Sequence, residues 1–368
     1  MNFTVNTKPL IEALNLGVIN SNVSPFHKKS TIIQVSADEH DLKLNVEAES
    51  IKSELTLKGS GDSKSIEKIF VSSLLMKQLV STFDSATVTL EFAEGGLILH
   101  SGTSKFTLPK LIDEDDIELD RPAKPMQDSL QFEIDKASWK FIQDRQMYSK
   151  SMSFIHPVYT YVWVGESGDV LVGDFDNSLF THSKKNTLQT TCLLSDTIIN
   201  LFESLPDNTK LSKYDKDYIL QYDSDSLTYV SQFSPKYENE NDIGDYNSDI
   251  FLDMMEPPET SYTFDTSIIN KYLSQAELLS TSTDDTIKFI VKDKVLELKD
   301  NNVHCKLGLE GDSTISEFDI EFKTDMIKKV LSNYPDKVVN ISAVEQDGEV
   351  AGMLVWDEDV VTIVAGVD

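Results

Sequence analysis

The sequence predicts an α+β fold made of three repeated domains. A segment consisting of an aromatic residue, a short alternating strand, a polar capping residue and an amphipathic helix occurs three times, beginning at Phe3, Phe132 and Tyr262. These starts are 129 and 130 residues apart, and 368 residues are enough for two or three domains. Each similarity is weak alone, but their even spacing favours three equivalent thirds.

In the first third, Asn6 is placed to cap a helix of about four turns. A second helix is predicted at Ser72–Phe83, with Leu75, Leu79 and Phe83 on its apolar face. Alternation of apolar and polar residues predicts half-buried strands around these helices. The strands are expected at Thr31–Ala37, Leu42–Ala48, Ile51–Leu57, Lys68–Val71, Thr87–Phe92, Leu97–Ser101 and Lys105–Leu108.

The middle and last thirds repeat this plan. Helices are predicted at Lys136–Lys150, Ser195–Leu205, Thr266–Ser280 and Thr324–Tyr334. Apolar faces are defined by Ile198, Leu201, Phe202 and Leu205 in the second of these and by Ile327, Val330, Leu331 and Tyr334 in the fourth. Strands are predicted at Thr160–Val164, Val170–Asp174, Leu179–Ser183, Tyr218–Tyr222, Leu227–Phe233, Thr286–Val291, Val295–Leu298, Val303–Leu309, Val338–Val344, Glu349–Trp356 and Val360–Val364. Each helix should pack on a sheet and leave its other face to solvent or a partner.

Two acidic stretches separate the thirds. Pro122 and Pro125 interrupt regular structure in Asp113–Gln127, and Ser234–Pro258 is rich in Asp, Glu, Asn and Tyr. The first is interpreted as a linker and the second as an extended acidic loop plus a linker. The predicted domains are residues 1–121, 128–253 and 259–368.

Several function classes are disfavoured by the residues. No stretch approaches the roughly 18–20 apolar residues of a membrane span, and MNFTVNTKP lacks the features of a signal peptide. Cys192 and Cys305 are far apart and outside any metal-ligand spacing, so we expect them to be reduced and buried in a cytosolic protein.

No catalytic, metal or cofactor motif is present in the sequence. The six histidines are scattered, and the phosphate-loop, zinc-protease and nucleophile-elbow patterns do not occur. Arg121 and Arg145 are the only arginines, too few for an enzyme that clamps phosphates. Asp174 and Asp176 could form a carboxylate pair, which leaves a hydrolase as a remote alternative. We therefore expect a protein that is not an enzyme and has no catalytic residue, metal or cofactor.

The net charge of −29 is unevenly distributed. The six predicted helical segments, residues 8–18, 72–84, 136–150, 195–205, 266–280 and 323–334, together carry +3, so the rest of the chain carries −32. The segment 136–150 is the most basic at +3, whereas 195–205 carries −2. If the helices share one surface, that surface is neutral to basic within an acidic body. The alternative is that solvated helices simply carry lysine.

The chain resembles a known family over essentially its full length, and four segments carry the resemblance. MNFTVNTKPLIEAL is similar to the opening of the bacterial sliding clamp, the beta subunit of the replicative DNA polymerase. LHSGTSKFTLPKL, Leu99–Leu111, resembles the hairpin that ends its first domain, and INKYLSQAELLS and DMIKKVLSNYPDKVV resemble two helices of its third domain. The divergence favours a phage-encoded or other mobile-element version.

The resemblance implies three clamp domains, each a doubled βαβββ unit, and two chains closing head-to-tail into a ring with helices inside and sheets outside. A homodimer is favoured over a trimer because each chain carries three domains. Double-stranded DNA would be encircled without sequence preference, through few phosphate contacts. The candidate DNA-binding residues are Lys28, Lys29, Lys77, Lys136, Lys140, Arg145, Lys150, Lys271, Lys328 and Lys329.

The resemblance also implies a pocket for short peptide motifs of DNA polymerase, clamp loader and repair proteins. Its walls would come from Gly173–Leu179, which departs from the family pattern by losing a Gly-His-Arg core, and from the final residues, Thr362–Asp368. An altered peptide preference is therefore expected. The candidate pocket residues are Leu171, Asp174, Leu179, Thr362, Ile363, Val364, Ala365 and Gly366. The alternative is that Val360–Val364 is only an edge strand of the core.

The leading hypothesis is a processivity factor that tethers the polymerase and other partners to DNA. It would act in the cytoplasm of a bacterial host, at the nucleoid or a phage replication site, with no membrane contact. The alternative from another class is a non-enzymatic structural or adaptor protein of a virus, built from repeated β-rich domains.

Overall fold

The computed structural model describes residues 1–18, 32–48, 51–111, 119–123, 131–133, 136–146, 161–174, 179–184, 188, 191–235, 248–279, 286–300, 304–313, 315, 317–332, 334 and 337–367. The chain divides into two compact units. Unit 1 comprises Met1–Lys136 and Asp196–Pro235, and unit 2 comprises Ala137–Ser195 and Lys236–Asp368.

Unit 1 is built around a sheet of twelve strands. Its strands are β1 (Asn2–Asn6), β2 (Ile32–Ala37), β3 (Asp41–Ala48), β4 (Ile51–Gly61), β5 (Glu67–Ser72), β6 (Thr87–Ala93), β7 (Gly96–Ser101), β8 (Ser104–Pro109), β9 (Gln131–Glu133), β14 (Lys210–Tyr214), β15 (Asp217–Asp223) and β16 (Leu227–Phe233). Its helices are α1 (Thr7–Gly17), α2 (Ser73–Val80) and α4 (Asp196–Ser204). The order β8-β7-β6-β1-β4-β16-β15-β14-β9 runs through β4, on which β3, β2 and β5 branch off.

Unit 2 contains one sheet of nine strands and one of four. The strands are β10 (Val162–Val164), β11 (Asp169–Asp174), β12 (Leu179–Lys184), β13 (Cys192–Leu194), β17 (Tyr262–Asp265), β18 (Thr286–Lys292), β19 (Val295–Lys299), β20 (His304–Gly308), β21 (Glu310–Gly311), β22 (Phe318–Lys323), β23 (Val338–Gln346), β24 (Glu349–Trp356) and β25 (Val360–Ala365). The helices are α3 (Lys136–Gln146), which begins at the last residue before the unit boundary, α5 (Ser248–Met254), α6 (Thr266–Leu279) and α7 (Thr324–Ser332). The sheet orders are β13-β10-β11-β12-β25-β24-β23-β17-β21 and β20-β19-β18-β22.

The predicted α+β class is confirmed, and most predicted elements lie where the periodicity places them. The apolar faces of α4 and α7 are also confirmed, because Ile198, Leu201, Phe202 and Leu205, and Ile327, Val330, Leu331 and Tyr334, are buried. Five elements were not predicted. They are the short or acidic segments β13, β14, β21, β22 and α5, of which α5 lies in a stretch interpreted as loop and linker.

Two local predictions about helices are wrong. Asn6 occupies the N-cap position of α1, but its side chain makes no capping hydrogen bond; the Thr7 N–H instead donates to the Ala86 carbonyl at 3.0 Å. In α2, Ser72 accepts from the Leu75 N–H at 3.3 Å, so the helix begins at Ser73. Within α2, Ser73, Met76 and Val80 are buried, whereas the predicted core residue Leu75 is 45% exposed.

Two strand pairings in these sheets join segments that the sequence assigns to different domains. In unit 1, β4 pairs with the whole length of β16, from Leu57 opposite Leu227 to Ile51 opposite Phe233. In unit 2, β12 pairs with β25, from Leu179 opposite Val364 to Ser183 opposite Val360. We call the β4–β16 pair junction 1 and the β12–β25 pair junction 2. The domain boundaries remain a prediction, since the two compact units follow these junctions and divide the predicted middle third.

Each junction has an inner face on which helices pack. Helix α1 contacts both β4 and β16, and Phe202 of α4 lies edge-on to Phe233 with ring centroids 5.5 Å apart. Helix α7 contacts β25 in junction 2. The opposite, outer faces are where the two junctions differ, and one of them holds the candidate site.

Candidate functional site

The ten candidate DNA-binding residues have different placements. Lys28, Lys29 and Lys150 lie outside the described residues, and Arg145 is assigned only to its position on α3. Lys140 on α3, Lys271 on α6 and Lys329 on α7 are exposed, and Lys328 is half-buried. Helices α6 and α7 pack side by side, so Lys271, Lys328 and Lys329 belong to one helical layer in unit 2.

Interactions with the protein itself are defined for Lys77, Lys136 and Lys329. The Lys77 ammonium donates to the Val18 carbonyl just beyond α1 at 3.0 Å, and its partial burial lowers the pKa of Lys77. Lys136 lies 3.4 Å from an Asp207 carboxylate oxygen, and Lys329 lies 3.9 Å from Asp325 one helical turn earlier. Exposed pairs of this kind are weak and remain able to exchange for a phosphate. Lys77 is the least suited to that exchange, because its ammonium caps a helix.

Junction 2 brings the two predicted pocket walls into one sheet but divides their side chains between its faces. Leu179, Thr362 and Val364 belong to the inner face, where the Thr362 hydroxyl lies 3.2 Å from that of buried Tyr334. Leu171 and Ile363 belong to the outer face. The predicted pocket residues therefore do not form one continuous surface.

The remaining predicted pocket residues lie at the end of β25 and in β11. Asp174 pairs with Leu179 where the β11–β12 hairpin closes. Ala365 pairs with Gly352 of β24, and the Gly366 N–H donates to the Ala351 carbonyl at 2.9 Å. A Cβ on Gly366 would lie 2.7 Å from Ile320, so a side chain there would collide with β22.

The outer face of junction 2 carries a cluster of large apolar side chains. We call it the outer cluster; its buried members are Trp163, Leu171, Phe180, Leu193, Met255, Leu354, Trp356 and Ile363. Helix α5 and the residue that follows it cover part of this face. Phe251 of α5 stacks on Phe180 with ring centroids 4.8 Å apart and an angle of 21° between the rings. The outer face is therefore an apolar surface covered by a short helix.

A cleft of about 540 Å³ lies beside α5 at the end of junction 2 where Ser183 pairs with Val360. Apolar atoms come from Leu252, Met255, Val360 and Val361, and acidic side chains surround them. None of the eight predicted pocket residues lines this cleft. Its volume is within the range of about 300–1,000 Å³ that is usual for ligand sites.

Two hydrogen-bonded carboxylates hold the walls of the cleft. His182 Nε2 lies 2.7 Å from Asp169, and the Ser167 hydroxyl also donates to Asp169. Burial would raise the pKa of Asp169, but these two hydrogen bonds outweigh it and hold the pKa below its ordinary value. The Asp169–His182 pair therefore fixes the facing ends of β11 and β12.

Asp357 organises the turn between β24 and β25 on the opposite wall. It accepts from Lys337 at 2.6 Å and from the N–H groups of Asp359 and Val360 at 2.8 and 2.9 Å. Burial alone would raise the pKa of Asp357, yet these donors hold it below the ordinary value. The turn that bounds the cleft is thus built around one buried carboxylate.

Sequence reasoning missed α5, the cleft and the aromatic members of the outer cluster. A signal for α5 exists: Ile250, Phe251, Met254 and Met255 form an apolar group at helical spacing within an acidic stretch, with Pro257 directly after it. Trp163, Phe180 and Trp356 lie in predicted strands, but the face that each side chain occupies depends on pairing between distant strands.

Neither a metal centre nor a membrane-spanning helix occurs among the described residues. These residues contain no group of three or more His, Cys, Asp and Glu side chains placed to hold a metal ion. Within the same part of the chain, no helix has both the length and the apolar character that crossing a membrane requires.

Comparison with known proteins identifies the fold. No protein-family model matches the sequence, and no curated protein matches it significantly. Solved structures match over the whole chain. The protein from Eubacterium rectale ATCC 33656 described as a DNA polymerase III beta subunit has a TM-score of 0.79 at 13% identity, covering 100% of both chains. The Bacillus subtilis DNA polymerase sliding clamp has a TM-score of 0.72 at 17% identity, covering 100% of this chain and 99% of its own.

A third match is a complex. The Helicobacter pylori beta clamp bound to a DNA ligase peptide has a TM-score of 0.69 at 14% identity, covering 100% of both chains. The chain therefore has the fold of bacterial beta sliding clamps along its entire length. Identities of this size establish the fold and leave function to be argued from the site.

Proposed function

We propose that this chain is a sliding clamp, a non-enzymatic ring that encircles duplex DNA and tethers replication proteins to it. The observation that carries the proposal is the match of the whole chain to beta clamps from several bacteria, with 99–100% of each of those chains also covered. Topological enclosure needs no sequence-specific contact, so mildly basic helices on an acidic protein suit the role. The protein would act in the cytoplasm of a bacterial host, where a phage-encoded version would serve phage replication.

Exposed lysines support sequence-independent contact with phosphates. Lys140, Lys271 and Lys329 are exposed on helices that present apolar residues to the sheets, so their ammonium groups can reach a ligand without unpacking the core. The acidic remainder of the chain would repel DNA from other surfaces. We expect weak, strongly salt-dependent DNA binding in the absence of enclosure.

We infer that partner peptides bind the outer face of junction 2. The support is its apolar surface, to which Leu171 and Ile363 contribute together with Phe180 and Trp163. The Helicobacter pylori structure holds a DNA ligase peptide, and we infer that short motifs of a polymerase and a clamp loader bind this chain in the same manner. Helix α5 would have to shift or share the face with the peptide.

A peptide-binding measurement tests this assignment. The chain has three tryptophans, and Trp163 and Trp356 belong to the outer cluster, so a consensus clamp-binding peptide should change the intrinsic fluorescence. Ile363→Ala should weaken binding about tenfold, which corresponds to about 1.4 kcal/mol. Val230→Ala, an outer-face truncation in junction 1, is the matched control and should change binding less than twofold. Equal binding by both variants would contradict the assignment.

The assembly is tested by native mass. A closed clamp of two chains should run as a stable dimer of about 83 kDa, twice the 41.4 kDa of one chain. The alternative is a ring of three chains, as in clamps that close with three subunits of two domains each, and it would have three times the mass of one chain. A monomer at micromolar concentration that also fails to bind the peptide would favour the alternative, a structural or adaptor protein of a virus.

A further inference from the structure

The cleft beside α5 combines an apolar floor with acidic walls. Leu252 and Met255 face it from α5 and the residue after it, and Val360 and Val361 face it from the start of β25. These side chains provide room for an apolar group in a cleft of about 540 Å³. The floor is continuous with the outer cluster through Met255 and Val361.

The charges around the floor are predominantly negative. Of the lining acids, Asp169 and Asp357 are occupied by His182 and Lys337. Asp253, Glu256 and Glu358 are exposed, and no ion pair within the described residues involves them. Lys184 is the single lysine of the lining, so the open mouth carries an excess of negative charge. A cation beside an apolar group fits this distribution, whereas a DNA phosphate does not.

We propose that this cleft is a second docking site, for a partner peptide in which Lys or Arg flanks an apolar side chain. The apolar side chain would enter between Met255 and Val361, and the cation would lie against Asp253 and Glu256. This inference rests on the proposed function, since it assigns part of the partner's contact to a surface that the predicted pocket does not include. Affinity is expected to fall with salt because the acids are exposed.

The experiment uses the full chain and a labelled synthetic probe. The probe is a nine-residue peptide of two leucines, three lysines and four glycines, followed by fluorescence anisotropy in low salt. Asp253→Lys with Glu256→Lys should weaken binding at least tenfold. Glu94→Lys with Asp225→Lys makes the same charge change at exposed acids elsewhere, and this matched control should change binding less than twofold. All four positions are exposed, so folding should be retained.

Two probe analogues separate this site from general attraction to an acidic protein. Replacing the lysines by glutamate should abolish binding, and replacing the leucines by serine should weaken it at least tenfold. The inference is overturned if the original probe does not bind, if both double variants weaken it equally, if the serine analogue binds as well, or if a DNA duplex displaces it.

The result is independent of the test of the proposed function. Ile363→Ala should weaken the consensus clamp peptide and leave the basic probe bound, because Ile363 does not line the cleft. Loss of the clamp peptide's binding in the unmutated protein, with the basic probe retained, would contradict the partner-binding assignment alone. Loss of the basic probe alone would overturn only the second site.

Discussion

Junctions 1 and 2 share the chemistry of their inner faces. In junction 1 Ser53 and Ser231 are opposite one another with their hydroxyls 2.9 Å apart, and in junction 2 Thr181 and Thr362 are opposite one another at 3.3 Å. An apolar pair lies next to each: Leu55 lies opposite Tyr229 in the first junction, and Leu179 lies opposite Val364 in the second. A buried hydroxyl pair beside an apolar pair thus recurs where helices cover the sheet.

The outer faces differ. In junction 1, Lys52 and Glu54 point outward and contact Asp120 and Arg121 of the first predicted linker, at 2.9 and 3.9 Å. In junction 2, Phe180 and Ile363 point outward, and Phe251 of α5, within the second acidic stretch, stacks on Phe180. The inner faces serve folding in both junctions, whereas only the second outer face offers the apolar surface that peptide binding needs.

The largest loss of folding stability is expected from a substitution in the outer cluster. Phe180→Ala should destabilise unit 2 by about 3 kcal/mol, since it removes a buried aromatic ring and its stacking contact with Phe251. All three tryptophans lie in unit 2, so thermal unfolding followed by their fluorescence measures this loss. In a double-mutant cycle with Phe251→Ala, a coupling of about 1 kcal/mol is expected. As a control, Thr228→Ala on the outer face of junction 1 should change stability by about 0.5 kcal/mol or less. If the losses of Phe180→Ala and Phe251→Ala simply add in the double variant, α5 does not stack on the sheet.

Asp357→Ala should give the next largest loss of folding stability, about 2 kcal/mol. The substitution leaves Lys337 and two backbone N–H groups without their acceptor. The pKa of Asp357 is depressed in the folded state, so its contribution is present above the unfolded value of about 3.9 and is lost as pH falls through the folded value. Denaturation between pH 7 and pH 3 should show a constant difference between the wild type and the variant down to about pH 4, and a smaller difference as the pH falls further. A difference that grows as the pH falls below about 4 would contradict this account.

The hydroxyl pair of junction 1 should have a smaller effect. Ser53→Ala or Ser231→Ala alone should cost about 1 kcal/mol, because each leaves a buried hydroxyl without its partner. The double variant should lose less stability than the sum of the two single variants, since it leaves neither serine hydroxyl unpaired. The surroundings are fully buried, and burial raises the pKa of the neighbouring Tyr229 to about 12. Amide hydrogen exchange of β16 measures these changes in unit 1. A double variant that loses the full sum would contradict pairing between the two serines.

The smallest effect is expected on the outer face of junction 1. Arg121 is 65% exposed and 3.9 Å from Glu54, so Arg121→Ala should alter stability by about 0.5 kcal/mol or less. Hydrogen exchange in low and high salt should show little difference between the wild type and the variant. A loss as large as that of Phe180→Ala would remove the distinction between the two outer faces.

Elements with clear periodicity could be predicted from the sequence. Strand β16 was predicted at its observed bounds because Leu227, Tyr229 and Phe233 alternate with more polar residues, and α7 was predicted because its apolar residues follow helical spacing. The burial of Leu75 was predicted wrongly, because Met76, Val80 and Phe83 also follow helical spacing, and packing on the sheet decides which of the two apolar groups is buried.

The outer cluster and the cleft could not be predicted from the sequence, for a different reason. Ser53 and Ser231 are 178 residues apart, and Thr181 and Thr362 are 181 residues apart, so the junctions depend on pairing that local patterns do not encode. Which of Ile363 and Val364 faces the outer cluster follows from that register. Helix α5 has only seven residues, which is short for recognition by periodicity in an acidic stretch.

Retention on circular DNA is the most direct test of the clamp assignment. The protein is mixed with nicked circular plasmid, a bacterial clamp loader and ATP, and is then separated by gel filtration in salt that suppresses ordinary phosphate binding. Protein held by enclosure should remain with the circle and be released when the same plasmid is linearised. Equal retention on circular and linear DNA, or no retention on the circle, would contradict the account.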